Sequence, residues 1–164
     1  MSLLRGLPPI VDQGARVLIL GSFPSEASLA AGQYYAHPRN QFWPILAAIL
    51  GQPLAQLAYE QRMAAVRAAG LAIWDVYGQC SRQGSLDSAI RDGVANDFAA
   101  LKMNAPQLGR VCFNGQSAGR FAPTLAAMGF ETLILPSTSP AHAGMNFAAK
   151  LERWQAGLKP ISQA

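Results

Sequence analysis

The chain has 164 residues, 51% of them hydrophobic and 13% charged, and 13 Lys and Arg against 9 Asp and Glu leave a formal net charge of +4. This length suits one compact domain with a substantial core, and the apolar content excludes a disordered chain. Two cysteines and two histidines exclude a disulfide-dense scaffold and a four-cysteine zinc or iron–sulfur site. No apolar run of about 18 residues marks a membrane span and no signal-peptide pattern opens the chain, so a cytoplasmic protein with reduced thiols is expected. A pI of about 9.4 permits a basic face for a phosphate backbone, although many soluble domains carry such a charge.

Met1 to Gly14 and Lys159 to Ala164 read as poorly structured margins. Arg16 to Gly21 is a continuous apolar run ending in glycine, the pattern of a strand covered on both faces. Phe42 to Leu50 and Leu54 to Ala69 read as helices, broken by Gly51-Gln-Pro53 and stopped at Gly70. Leu71 to Tyr77 is a second strand, and Ser85 to Ile90 a short helical turn. Asn96 is the expected N-cap of a helix running to Met103. Arg110 to Asn114 is a third strand, followed by a helix from Gln116 to Met128 that Pro123 disturbs. Glu131 to Leu135 is a fourth strand, and a last helix runs from about Asn146 to Ala156.

Strands alternating with helices predict an α/β fold: three layers, α/β/α, around a central, mainly parallel four-stranded sheet. One domain over 1–164 is expected, with its core at about 15–157. Ligands of such sheets sit beyond the carboxyl ends of the strands. Three loops leave those ends: Gly21-Ser-Phe-Pro-Ser25, Asn114-Gly-Gln-Ser117 and Pro136-Ser-Thr-Ser-Pro-Ala-His142.

The first loop leads to Gly32-Gln-Tyr-Tyr-Ala-His-Pro-Arg-Asn-Gln-Phe-Trp43. Aromatic rings beside a guanidinium and an amide suit a planar heterocycle, which stacks on a ring while the amide orients polar atoms. Phe42 and Trp43 fit equally as core, and Asn40 as a helix N-cap. The loop after Leu135 is dense in Ser, Thr and Pro. Small hydroxyls and free backbone N–H groups can grip phosphates, though a structural Pro-Ser turn is the alternative.

Taken together, Gly21-Ser-Phe-Pro-Ser25, Tyr35-Ala-His-Pro-Arg-Asn-Gln-Phe-Trp43 and Leu135-Pro-Ser-Thr-Ser-Pro-Ala-His142 resemble the ordered motifs of the uracil-DNA glycosylase superfamily. The middle stretch is similar to the mismatch-specific uracil glycosylases, and the whole pattern, over roughly Val17 to Trp154, is most similar to the hypoxanthine-DNA glycosylase branch. Two positions depart from the superfamily's habit. Phe23 stands where an Asp or Asn usually holds the attacking water, and Leu135 where a His often opens the later motif. Both departures weigh against ordinary uracil excision.

The resemblance implies roles for particular residues. Asn40 matches the branch's implicated Asn and Tyr35 the aromatic that stacks on the flipped base. Asn114 lies where the superfamily often reads the base with an amide. Asp75, at the end of the second strand, is the nearest carboxylate by topology, with a structural role as its alternative. Phe23 and His37 join the base contacts. Ser25, Ser137, Thr138, Ser139, His142 and Arg39 are expected at the DNA backbone, with Thr138 to Ala141 as wedge or phosphate clamp and Arg82, Lys102 and Arg120 as further phosphate contacts. The implied enzyme is a monofunctional glycosylase that releases hypoxanthine, or alternatively uracil or xanthine, from DNA. It needs no cofactor or metal, and it is expected to be a monomer with no membrane partner.

A rival lies in Gly115-Gln-Ser-Ala-Gly119, which matches the nucleophile elbow of serine hydrolases, with Glu131 and His142 in the matching chain order. Against it, no His-Gly-Gly segment precedes it, and Glu131 opens a strand at the end away from the expected site. A non-catalytic nucleotide-binding domain is a third reading, without G-x-G-x-x-G or a P-loop.

Overall fold

The computed structural model describes residues 3–142 and 144–159. In chain order the strands are β1 (Leu3–Arg5), β2 (Val17–Gly21), β3 (Leu71–Asp75), β4 (Tyr77–Ser81), β5 (Arg91–Ala95), β6 (Arg110–Asn114) and β7 (Glu131–Leu135). The helices are α1 (Glu26–Ala31), α2 (Phe42–Leu50), α3 (Tyr59–Ala68), α4 (Phe98–Asn104), α5 (Gln116–Gly119), α6 (Ala122–Ala127) and α7 (Phe147–Leu158), with single 3-10 turns at Leu54–Gln56 and Asp87–Ala89.

Four of the strands make a parallel sheet in the order β3-β2-β6-β7. All of β2 is buried, because alternate residues face opposite helical layers. Val17 and Ile19 join a core with Phe42, Trp43 and Leu46 of α2, Val66 of α3, and Trp154 and Leu158 of α7. Phe42 lies edge-on to Trp43 and Trp154, with centroids 5.0 and 5.9 Å apart. Leu18 and Leu20 join the other core, with Phe98 and Leu101 of α4, Ala118 of α5 and Leu125 of α6. The three expected layers are therefore present. Gly21 pairs with Asp75, and Asn114 with Leu135, so the carboxyl ends of the four strands lie level and their loops meet.

The second sheet is the main departure from the sequence reading. Leu71 to Tyr77 is not one strand: β3 stops at Asp75 and Tyr77 begins β4, which pairs antiparallel with β1 and β5. The turn is held where Val76 N–H donates to Gly21 O (2.7 Å), Tyr77 N–H to Ser22 O (3.1 Å) and Asn96 Nδ2 to Asp75 O (2.8 Å). Asn96 is thus not the α4 N-cap; Asp97 is, accepting from Ala100 N–H. The expected margin Met1 to Gly14 is structured from Leu3 onward, since β1 pairs with β4 and Ile10 exchanges backbone hydrogen bonds with Ile73. Of the other expected margin, residues 160–164 lie outside the described residues, as do 1–2.

Smaller corrections have local causes. The Leu54 to Ala69 helix is a 3-10 turn followed by α3, because Leu57 and Ala58 are extended. The Gln116 to Met128 helix is split into α5 and α6, with Pro123 in the first turn of α6, where its missing N–H costs nothing. Helix α1 was not expected; Ser25 caps it, with Oγ accepting from Ser28 N–H. Among the described residues no helix is long and apolar enough to cross a membrane. Cys80 and Cys112 are buried free thiols.

Candidate active site

Beyond the level strand ends lies an open cavity of about 650 Å³. That is within the usual size for a small-molecule site. Asn40, Asp75, Tyr35, Phe23, Asn114, His37, Ser25, Ser137, Thr138, Ser139, His142 and Arg39 all line it. The fold therefore gathers these twelve candidates onto one surface, whose lining does not include Arg82, Lys102 or Arg120.

Asp75 is the most deeply placed charged group there. It is 4% exposed, and its Oδ2 is buried without a hydrogen-bond partner. Burial, reinforced by the negative charge of Asp87 and opposed by Arg82, raises its pKa to about 7. The hydroxyl of Tyr35 is also buried and unpartnered. Burial raises its pKa too, with Asp75 adding to the shift. Both groups crowd Gly21: a Cβ there would stand 2.6 Å from Asp75 Oδ1 and 3.1 Å from Tyr35 Oη.

Tyr35 is held at φ 56°, an uncommon backbone for a residue with a large side chain. Its ring stacks on Phe42 (centroids 4.2 Å apart), so one face is already covered. Phe23 is buried, with the Arg82 guanidinium 5.2 Å from its ring centre. His37 begins a tight turn in which its Nδ1 accepts from Arg39 N–H (3.1 Å) and its carbonyl from Asn40 N–H (2.9 Å). Asn40 is half-buried, and its Oδ1 accepts from Phe42 N–H (2.9 Å), tying it to the start of α2. That bond uses only the amide oxygen, so the amide NH₂ stays available to a ligand. Arg39 is exposed.

The Pro136 to His142 loop is fastened from several sides. Asn114 Nδ2 donates to Thr138 Oγ1 (3.0 Å), and Asn114 Oδ1 accepts from Thr138 N–H (2.9 Å). Thr138 is buried, so it holds the loop rather than offering its hydroxyl at the rim. Gln41 N–H donates to Thr138 O (3.0 Å), and Trp154 Nε1 to Pro136 O (2.8 Å). The sequence reading missed Lys150. It is buried on α7, and its Nζ donates to Gln41 Oε1 (3.0 Å) and His142 O (2.8 Å), joining the start of α2 to the loop. The signal was a lysine one turn before the core residue Trp154, on the apolar face of the helix.

Two expected phosphate contacts are structural instead. Arg82 is buried and donates to Pro24 O (2.6 Å), and Lys102 Nζ donates to Leu108 O in the loop between α4 and β6. Arg120 is exposed. The hydrolase elbow does not assemble. Ser117 and His142 line a smaller cavity of about 280 Å³, but Glu131 stands at the opposite end of β7, exposed and paired with Arg110 at 3.0 Å. Among the described residues no group of three or more His, Cys, Asp or Glu could hold a metal ion.

Comparisons with known proteins agree with this architecture. The family model described as the uracil DNA glycosylase superfamily matches residues 8–157. A protein of Methanosarcina acetivorans named hypoxanthine DNA glycosylase is 43% identical over 138 residues, covering 84% of this chain and 87% of its own length. A protein of the same name from Methanosarcina barkeri is 42% identical over the same shares. The solution NMR structure of a Methanosarcina acetivorans protein, provisionally described as a uracil DNA glycosylase, superposes with a TM-score of 0.85 at 39% identity, covering 94% of this chain and 96% of that one. With its parallel sheet, its converging loops and a family match along nearly its whole length, the chain belongs to the uracil DNA glycosylase superfamily.

Proposed function

We propose that this protein is a monofunctional DNA glycosylase that hydrolyses the N-glycosidic bond of deoxyinosine and releases hypoxanthine. The observation that carries the reading is the buried, unpartnered carboxyl of Asp75 in a cavity that also holds Tyr35 and Asn40. The relatives named hypoxanthine DNA glycosylase, at 42% and 43% identity, favour hypoxanthine over other deaminated bases.

The reaction breaks the C1′–N9 bond and adds water at C1′. Its transition state carries positive charge on the sugar and negative charge on the departing base. A base flipped into the cavity goes in ring first, while its sugar stays at the mouth with the backbone. Deep burial supports a role for Asp75 at the ring. With a pKa of about 7, its neutral form persists near neutrality and can donate to an acceptor on the ring, drawing off the charge that develops there. The less buried Asn40 faces the sugar side, where its free NH₂ orients water or the sugar. Tyr35 contributes its uncovered edge and hydroxyl to the base. Phe23, His37 and Asn114 shape the walls, and Asn114 acts through Thr138.

Ser25, Ser137, Ser139, Arg39 and His142 are the groups offered to the DNA backbone. Ser25 does so with its hydroxyl already capping α1. Lys150 does not line the cavity and its Nζ is engaged by Gln41 and His142, which fits hydrolysis rather than a Schiff-base route. The protein would act on DNA as a monomer, in the cytoplasm, as one domain.

The test is cleavage of labelled oligonucleotides carrying one inosine, uracil or xanthine, treated with alkali after incubation. Inosine strands are expected to be cut by wild type and by Ser117→Ala, and spared by Asn40→Ala. Preferential cutting at uracil or xanthine would reassign the base. No cutting at any of them would remove the glycosylase reading.

A further inference from the structure

A residue with a large side chain stays in the left-handed backbone region only where its surroundings fix the peptides on either side of it. Among the described residues other than glycine, Tyr35 is one of two with a positive φ. It also carries the buried hydroxyl that stands beside Asp75 at Gly21. Whatever fixes the two peptides flanking Tyr35 therefore sets the place of that hydroxyl.

The preceding peptide is tied into the core. Tyr34 O accepts from Trp43 Nε1 (2.8 Å) and Tyr34 N–H donates to Tyr59 Oη (3.0 Å). The Tyr34 hydroxyl reaches Leu7 O and Pro8 O at 3.1 and 2.9 Å. The following peptide is tied to α1, where Ala36 N–H donates to Ser28 Oγ (3.0 Å). Ser28 is 2% exposed and lines the main cavity. It is locked in its turn: its N–H donates to Ser25 Oγ, and the Ser25 hydroxyl donates back to Ser28 Oγ, both at 3.1 Å. Its carbonyl accepts from Gly32 N–H and Gln33 N–H, closing the helix. A serine inside a helix is a weaker helix former than alanine, and a buried hydroxyl needs partners. Here those partners join the loop after β2 to the turn that carries Tyr35.

We propose that Ser28 is a positioning residue that holds the Tyr35 backbone in its left-handed conformation and so keeps the Tyr35 hydroxyl beside Asp75 in the cavity. Its kinetic consequence rests on the glycosylase reading above; the brace itself does not.

The test compares wild type, Ser28→Ala, Tyr35→Phe and the double variant. Amide exchange at Ala36, read by NMR without substrate, is expected to speed up by about tenfold in Ser28→Ala. Single-turnover release of hypoxanthine from an inosine duplex is expected to slow by about tenfold in Ser28→Ala. Added to Tyr35→Phe, the same change should cost no more than about twofold, because the positioned hydroxyl is already gone. Binding to a duplex with an abasic site, which offers Tyr35 no base, should stay within about twofold of wild type. Unchanged exchange at Ala36, the same slowing in both backgrounds, or an equal loss of abasic-site binding overturns the proposal. Should Ser28→Ala fail to fold, the comparison is read on Ser28→Cys, which keeps the size and weakens the acceptor. Faster exchange at Ala36 with no base released by wild type would overturn the glycosylase reading and leave the brace standing.

Discussion

Asp75 and Gly21 are register partners at the ends of β3 and β2, and the Asp75 carboxyl fills the space a Gly21 side chain would need. Only a hydrogen fits there, because Tyr35 Oη also stands 3.1 Å from where that side chain would begin. The glycine that reads in sequence as a turn signal is thus also what lets a carboxyl and a phenol share the cavity floor.

Gly21→Ala therefore displaces one or both groups. Release of hypoxanthine is expected to fall by about 10²-fold or more, with a stability loss of about 1–3 kcal/mol from overpacking. Single-turnover rates beside urea melts check this. A folded Gly21→Ala protein with ordinary rates would detach Asp75 from the chemistry.

The raised pKa of Asp75 has a sign that can be measured. An unfolded Asp titrates near 3.9, whereas this one, buried and facing Asp87, titrates at about 7. Between those values the folded chain binds more protons than the unfolded one, so the contribution of Asp75 to stability falls as pH rises and levels off above the window. Relative to wild type, Asp75→Asn should become steadily more stable from about pH 4 to about pH 7. Its excision rate should be low and flat with pH, while the wild-type rate declines above about pH 7 as the neutral acid is lost. A parallel pair of stability curves would place the Asp75 pKa in the ordinary carboxylate range.

Asn40 is not the N-cap of α2, which is Gln41; its Oδ1 closes a local turn onto Phe42 N–H, so Asn40→Ala removes that turn bond as well as the amide donor. Asn40→Asp separates them. Its carboxylate still accepts from Phe42 N–H, so the urea midpoint should stay close to wild type, whereas Asn40→Ala loses that hydrogen bond at about 1 kcal/mol. The donor NH₂ is gone, and base release should fall by about 10²-fold in both variants. Retained activity in Asn40→Asp would show that the turn bond to Phe42, not the amide donor, is what the reaction needs.

Lys150 is a buried cation whose two acceptors are a side-chain amide and a backbone carbonyl, and burial lowers its pKa. Lys150→Met keeps the stem and removes both bonds. Stability should fall by about 1–3 kcal/mol, since Gln41 Oε1 and His142 O lose their donor. Excision should fall by about tenfold, because Gln41 and the Pro136 to His142 loop lose their common tie. An unchanged excision rate in a folded Lys150→Met protein would make Lys150 a packing residue only.

The central sheet was legible because its strands are apolar runs bounded by glycine or polar turns, as in Val17 to Gly21. The second sheet was not. Tyr77-Gly-Gln-Cys-Ser81 and Arg91-Asp-Gly-Val-Ala95 lack a clean alternation, and β5 is exposed throughout. These strands form by pairing with each other and with β1, a long-range contact that no local pattern announces. The candidate residues were legible as motifs, and the level strand ends bring them together. Their division of labour was not. Thr138 turned from rim to brace through two bonds with Asn114, and Arg82 from phosphate contact to loop anchor through Pro24, both set by partners far away in the chain.

Product analysis of an inosine duplex by mass spectrometry tests the central claim most directly. Wild type is expected to yield free hypoxanthine and an abasic strand of unchanged length, cut only after alkali, with both products strongly reduced for Asn40→Asp. Intact inosine strand, or a strand cut without alkali, would contradict a monofunctional hypoxanthine glycosylase.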